Sequence, residues 1–257
     1  MRPTVTVIMN CLNGSRYLME ALNSVYAQTY PDWEIIFWDD ASTDHSAAMA
    51  RSYSSKLRYF KGPGGTPLGE SRNLAFAQAQ GQYLAILDCD DHWEPDKLLR
   101  QVGFLEKHPY VGLVASDCWI MDADGTRDGT LFGRVPFPDG DPDRALLCGR
   151  NFLASPTLLM RTNLVRTAGG CTPTYRYAEL FDLCVRLSKA FLIDALELPL
   201  ASYRIHAGNR GWTGCVGMTE EVLDVLRRHR PGAPVGQYVR EAVLRARLGW
   251  QRLVGMA

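Results

Sequence analysis

The chain has 257 residues, 46% of them hydrophobic and 22% charged, enough for one sizeable core with at most a small appendage. Its 28 Lys and Arg balance 28 Asp and Glu, so it lacks the cationic surplus of a general nucleic-acid binder, and no nucleic acid is expected as a partner. Seven cysteines, at 11, 89, 118, 148, 171, 184 and 215, are scattered without a C-x-x-C pair, which argues against a disulfide framework or a thiolate zinc site and suits free thiols in a reducing cytosol.

Thr4 to Met9 reads as a buried strand that follows Met1-Arg2-Pro3 directly, so no secretory leader is expected. After the turn at Asn13-Gly14, Ser15 is placed to cap a helix with Leu18, Ala21, Leu22 and Val25 at helical spacing. A second strand, Glu34 to Trp38, runs into Asp39-Asp40 and a loop; a strand over 57–60, a helix over 70–79 and a strand from Tyr83 to Leu87 follow. Four strands and three crossovers in 90 residues describe a largely parallel α/β sheet. Pro95 suits the first turn of the next helix, and two strand-like runs, Val111 to Ala115 and Cys118 to Met121, precede the turn at 122–125. The stretch 125–150 reads as a long loop with one short helix. Helices near 162–168 and 177–189 and strands near 191–196 and 200–204 complete the compact part, and two more helical patterns, about 219–229 and 235–254, close the chain. No run approaches the roughly 18 to 20 apolar residues that span a bilayer.

Carboxylates gather where strands end: Asp39 and Asp40 after the second strand, then Asp88, Asp90 and Asp91 after the fourth. In open α/β sheets ligands bind outside those ends, so both clusters point toward one crevice. Mutual repulsion among three acids is relieved by a hard divalent cation, Mn²⁺ or Mg²⁺ rather than zinc; a solvated acidic turn capping the next helix is the competing reading. The segment 65–75 sets glycines, a hydroxyl and Arg72 at a helix start, which favours an anion, although Arg72 also suits simple pairing with the acids. Neither a phosphate-binding G-x-x-x-x-G-K-[ST] loop nor G-x-G-x-x-G is present. His206 stands beside Arg204, Asn209 and Arg210, groups suited to a diphosphate or to completing metal coordination. Within 177–189, Leu183, Val185 and Leu187 read as core, and Glu179 and Asp182 are the acids positioned for a pocket.

These blocks, from TVTVIMNCLNGSRYLMEALNSVYAQTYPDWEIIFWDDASTD through GESRNLA, LDCDDHWEPDKL, the glycines at 169–170, RYAELFDLCVRL and YRIHAGN, resemble glycosyltransferase family 2 in the family's order over about residues 4–210. The resemblance implies the GT-A, Rossmann-like fold over 1–212, with a mixed, mostly parallel sheet flanked by helices and a C-terminal helical extension over 213–257. It implies an enzyme that moves a sugar from a nucleotide diphosphate donor to an acceptor, usually with inversion. Cys11, Asn13 and Asp40 would contact base and ribose, with Arg72 near the base or phosphates. Asp88 and Asp90 match the D-x-D motif, with Asp90 or Asp91 the metal ligand, and His206 would approach the diphosphate or the metal.

One departure falls on the base. The family's A-E-D-x-D-L pattern carries an acid where this chain has Leu180. Either Glu179 or, in reserve, Asp182 takes the acceptor's proton, or the acceptor needs no strong base, or the protein binds donor without efficient transfer. The basic, roughly amphipathic tail suits packing on the catalytic domain, a membrane surface or a partner protein, so the expected location is cytoplasmic or peripheral at a membrane.

Overall fold

The computed structural model describes residues 2–53, 55–138, 152–209 and 215–229. In chain order these form β1 (Val5–Cys11), α1 (Ser15–Tyr26), β2 (Trp33–Asp39), α2 (Ser46–Arg51), β3 (Leu57–Lys61), α3 (Leu68–Gln78), β4 (Tyr83–Ile86), β5 (His92–Trp93) and α4 (Lys97–Lys107). There follow β6 (Val111–Met121), β7 (Arg127–Thr130), α5 (Leu131–Arg134), β8 (Leu159–Arg161), α6 (Thr162–Thr167), α7 (Glu179–Ser188), β9 (Leu192–Arg204) and α8 (Cys215–His229). The predicted helix over 235–254 lies outside the described residues.

Alternation along the central strands sets up two cores, one on each sheet face. Val5, Val7 and Met9 of β1 and Ile35 and Phe37 of β2 pack with Leu18, Leu22 and Val25 of α1 and Leu98 and Val102 of α4. Ile8, Ile36 and Trp38 point the other way, onto Ala75 and Phe76 of α3 and Leu183, Val185 and Leu187 of α7. The strand order is β3-β2-β1-β4-β8-β6-β9-β5, with β7 against β6. Parallel ladders join β3, β2, β1 and β4, and a long one joins β6 to β9; β5, β7 and β8 add antiparallel pairings of two or three residues each. Because the chain runs β1, β2, β3 to one side and then returns to place β4 on the other side of β1, the order reverses between β1 and β4. That is where a crevice opens in sheets of this kind.

Several local expectations change. The two runs at 111–121 are one strand, because the polar pair that seemed to divide them is satisfied in place: Ser116 Oγ donates to the Asp117 carbonyl, and Asp117 Oδ1 accepts from the amides of Cys118 and Phe132. The register against β9 shifts at that point, and 192–204 is likewise a single strand. Within the predicted loops stand α2 and, at 127–130, β7, while α5 supplies a short helix in the 125–150 stretch as expected; β8 was not anticipated. Ser15 is the first helical residue rather than the cap. Gly14 takes the cap position without a side-chain bond, and Ser46 Oγ and Asp44 Oδ2 accept from the Gly14 and Ser15 amides.

The entry to β4 is bolted to β1. Thr6 Oγ1 donates to Glu34 Oε1 at 2.8 Å and accepts from the Gly81 amide at 2.9 Å. A Cβ on Gly81 would stand 2.6 Å from the Thr6 nitrogen and 2.8 Å from the Val5 carbonyl carbon, both backbone atoms that cannot step aside. Gly81→Ala is therefore expected to cost about 1 to 3 kcal/mol through displacement of the strand pair. Urea unfolding followed by circular dichroism reads this as a lower midpoint; an unchanged midpoint contradicts the close approach.

Candidate active site

The carboxyl ends of β1, β2 and β4 open into one cavity of about 890 Å³. Most of the predicted residues line it: Cys11 and Asn13 from the β1 end, Asp40 from the β2 end, Arg72 from α3, Asp88 and Asp90 after β4, Glu179 at the start of α7, and His206 after β9.

Arg72 is the centre of the arrangement. It is buried, its Nη1 donating to Glu179 Oε1 at 2.6 Å and its Nη2 to Asp88 Oδ1 at 3.0 Å. Burial alone would lower its pKa; the charges of Asp88 and Glu179 outweigh it and hold the guanidinium firmly protonated. The second oxygen of Asp88 accepts from Ser155 Oγ at 2.7 Å, so both of its oxygens are taken. Ser155 sits on a short 3₁₀ turn, and no pattern in the sequence marked it.

Asp40 Oδ2 accepts from the Thr66 amide at 3.0 Å, while its Oδ1 is buried without a partner. Other buried polar atoms on the cavity wall share that condition: both amide atoms of Asn10, the Tyr17 hydroxyl, Thr66 Oγ1, Ser71 Oγ and Glu179 Oε2. Asn13 has a positive φ of 54° and ties the β1 end to the loop after β2, its N–H donating to Ser42 Oγ and its Oδ1 accepting from the Thr43 amide. A hydrogen bond with Cys89 is the chief cause that holds the Cys11 thiol below the ordinary range, against the opposing effect of burial; the same bond and burial push Cys89 well up.

His206 Nε2 lies 2.9 Å from Asp90 Oδ2, and Asn209 Nδ2 approaches the same oxygen at 3.3 Å. The Gly208 amide donates to His206 Nδ1, so the neutral ring carries its proton on Nε2 and acts there as a donor. The expected metal ligands His206 and Asp90 thus stand within hydrogen-bond distance of one another. Asp91 stands apart from them. The turn closed by the Asp91 amide on the Asp88 carbonyl swings its side chain toward β9, where Oδ1 accepts from the Arg204 amide, and it does not line the cavity. Burial, then the charges of Asp90 and Asp88, push its carboxyl well up. A substrate-bridged Mg²⁺ or Mn²⁺ needs only one or two carboxylates, and Asp90 alone fits that role. Among the described residues no group of three or more His, Cys, Asp and Glu converges on a common point.

Asp182 is also removed from the site. Three residues past Glu179 it stands about 60° around the helix and a turn higher, and its oxygens accept from Thr172 Oγ1, Arg186 Nε and His229 Nε2. The family acid's position does face the cavity, and Leu180 fills it. Unforeseen, too, was Glu221 of α8, whose carboxylate accepts from the amides of Arg176, Tyr177 and Ala178 and so fixes the chain entering α7. No sequence signal pointed to it.

A parallel sheet reversed at β1, an aspartate cluster at the switch point and antiparallel strands beyond define the GT-A class of glycosyltransferase folds. Solved structures agree: TarS of S. aureus in complex with UDP-GlcNAc aligns with a TM-score of 0.71 and 21% identity over 95% of this chain and 72% of that one. The mannosyltransferase PcManGT of Pyrobaculum calidifontis, in complex with GDP-Man and Mn²⁺, gives 0.66 and 17% over 100% and 76%. The family model for glycosyl transferase family 2 matches residues 6–159, and the chain belongs to that family. EpsE of Bacillus subtilis (strain 168), a glycosyltransferase by assignment, is 31% identical over 70% of this chain, which spans 64% of EpsE. An uncharacterized glycosyltransferase of Nostoc sp., alr2836, is 31% identical over 84% of this chain and 69% of its own length.

The Asp182 cluster yields a pH prediction. Burial would raise this carboxyl, but the hydrogen bonds from Thr172, His229 and Arg186 prevail and hold it below the ordinary 3.8. Its contribution to stability is thus complete above that value and is lost as pH falls through the lower folded-state value. Asp182→Ala is expected to lose about 1 to 3 kcal/mol at pH 7, with a narrower gap to the parent at pH 3. Urea melts at both pH values check this; a gap that persists unchanged in acid contradicts it.

Proposed function

We propose that this chain transfers a sugar from a nucleoside diphosphate donor to an acceptor hydroxyl, with inversion, and that Mn²⁺ or Mg²⁺ assists at Asp90. The observation that carries this reading is the group of unpartnered buried polar atoms on one cavity wall, with Asp40 Oδ1 foremost. Each costs free energy until a ligand satisfies it, and their mix of carboxylate, amide and hydroxyl suits a base and a ribose. The sugar nucleotides in the TarS and PcManGT complexes support the same donor class.

Charge supports the cation. Asp40, Asp88, Asp90 and Glu179 line the cavity against the guanidinium groups of Arg16 and Arg72, and Arg72 is already spent on two carboxylates. A diphosphate entering that field requires added positive charge. Held by Asp90, the cation would act as a Lewis acid that neutralises charge on the departing nucleoside diphosphate. His206 donates from Nε2 toward the same region. Asp40 accepts a base N–H at Oδ1. Glu179 is the proposed base: Arg72 orients it through Oε1, and Oε2 is left to take the acceptor's proton. The extension from 213 supports the acceptor side, its described part holding residues 176–178 through Glu221. No helix among the described residues is long and apolar enough to cross a membrane, and a peripheral membrane or protein contact through the remaining tail is part of the proposal.

Calorimetry with UDP and GDP, in Mn²⁺ and in excess chelator, tests the donor site. Binding of one nucleotide is expected, weaker without metal, and weaker by roughly one to two decades in Asp40→Ala, as loss of one buried acceptor implies. Equal affinity in all conditions removes Asp40 and the cation from the site.

A second reading, a donor-binding module without efficient transfer, draws on one observation: Leu180 faces the cavity where the family carries its acid. Glu179→Gln separates the two. Base catalysis from Glu179 predicts a kcat at least tenfold lower with donor affinity nearly unchanged, since a positioned base contributes about 10²- to 10⁴-fold. Leu180→Asp is expected to raise transfer if the site has decayed and to leave it unchanged or lower if the pocket suits another acceptor. Full activity in Glu179→Gln eliminates this base.

A further inference from the structure

Among the described residues, Cys11 and Cys89 are the two thiols nearest the reversal point of the sheet. β1 and β4 run parallel with Ile8 opposite Ile86 as their last registered pair, and each cysteine lies three residues beyond it on its own strand path. Neighbouring strands about 4.8 Å apart fall within the Cα separations a disulfide spans. The side chains converge under Gly14: a Cβ placed there would meet Cys89 Cβ at 2.9 Å, Cys11 Sγ at 3.1 Å and Cys89 Sγ at 3.4 Å. Only a glycine at this helix entry leaves room for both sulfurs. The pair is reduced, both residues line the cavity, and Cys89 Sγ stands 3.2 Å from the Asn10 carbonyl. A small reagent that enters the donor cavity therefore comes up against the wall that holds both thiols, which are 3% and 8% exposed.

We propose that Cys11 and Cys89 form a reversible dithiol–disulfide pair in the floor of the cavity, and that its oxidised form closes the donor site. The oxidant is a low-molecular-weight disulfide. The Cys11 thiolate attacks one of its sulfurs, breaking the S–S bond and expelling one thiol, which takes up a proton. The Cys89 sulfur then attacks Cys11 Sγ in the mixed disulfide and expels the second thiol. Two protein thiols are oxidised and one reagent disulfide is reduced to two thiols.

The closure follows from geometry. A disulfide draws its sulfurs to about 2.05 Å, well inside thiol contact. The contraction acts on Asn10-Cys11 and on Asp88 to Asp90, the two segments that present Asn10 and the aspartates to the cavity. Displacements of order 1 Å in a positioning segment cost up to about a hundredfold. The link itself stands without the proposed function; its effect on nucleotide binding rests on that reading.

The experiment uses the full chain, reduced and then exposed to hydroxyethyl disulfide with and without saturating UDP or GDP. Digestion without reductant and mass spectrometry should find the Cys11 and Cys89 peptides joined, two hydrogens lighter than the reduced pair. Bound nucleotide should slow that link at least fivefold. The linked protein should bind nucleotide at least tenfold more weakly, with recovery on adding dithiothreitol, and Cys89→Ser should show neither link nor oxidant-sensitive affinity. If that variant does not fold, the peptide map of the parent decides alone. Cross-links confined to other pairs, such as Cys171 with Cys184, in a chain that keeps its Tm overturn the proposal, as does a Cys11–Cys89 link with unchanged affinity. A reduced chain that binds neither nucleotide refutes the donor-site reading, and the closure with it, while the map still decides the link.

Discussion

The Arg72 guanidinium joins parts of the chain that are far apart in sequence. It reaches Asp88, sixteen residues on, and Glu179, 107 residues on, and at 3% exposure it has no water to fall back on. A buried cation of this kind is tolerated only because two carboxylates flank it, and the buried Glu179 depends on it in turn. Asp88 leaves the end of β4 and Glu179 begins α7, so one side chain sets how the strand-end wall of the crevice faces the start of α7. Ser155 closes the other oxygen of Asp88 and draws the turn before β8 into the same assembly.

Around that centre the topology does the placing. Reversal of strand order between β1 and β4 leaves their carboxyl ends side by side without a crossover above them, and Asn10, Cys11, Asp88 and Cys89 all project from this gap. Arg204 secures the far side. Its amide donates to Asp91, its Nε to the Asp90 carbonyl and its Nη2 to Glu20, and its guanidinium lies over the Tyr17 ring at 4.4 Å. Asp91 is thereby a structural anchor for the turn that holds Asp90 at the cavity edge.

The entry to α7 is held by α8. Glu221 receives three successive amides from the segment before α7, the Tyr175 hydroxyl donates to Asp224, and His229 bridges Asp182 and Lys189. Amides at a helix entry lack intrahelical partners, and here a carboxylate from a later helix supplies them. Glu179 and Leu180 owe their direction into the cavity to that contact as much as to their own helix.

The sequence alone determined what short-range periodicity and strand-end chemistry encode. Short β-rich runs located β1 to β4, helical patterns located α1, α3 and α7, Pro95 marked the start of α4, and aspartates at strand ends pointed to one crevice, because a residue pattern and a strand terminus are local properties. Ordered motif blocks carried the family. Tertiary structure decided which of those acids are usable. Asp90 and Asp91 are adjacent in sequence, yet one edges the cavity and the other faces β9; Glu179 and Asp182 lie within one helical turn, yet one meets Arg72 and the other Arg186. It also supplied Ser155 and Glu221, and it made one strand of 111–121 despite Ser116 and Asp117. The reason is physical: the direction of a side chain at a turn or helix start is set by its hydrogen-bond partner, and when that partner lies tens of residues away no local pattern carries it.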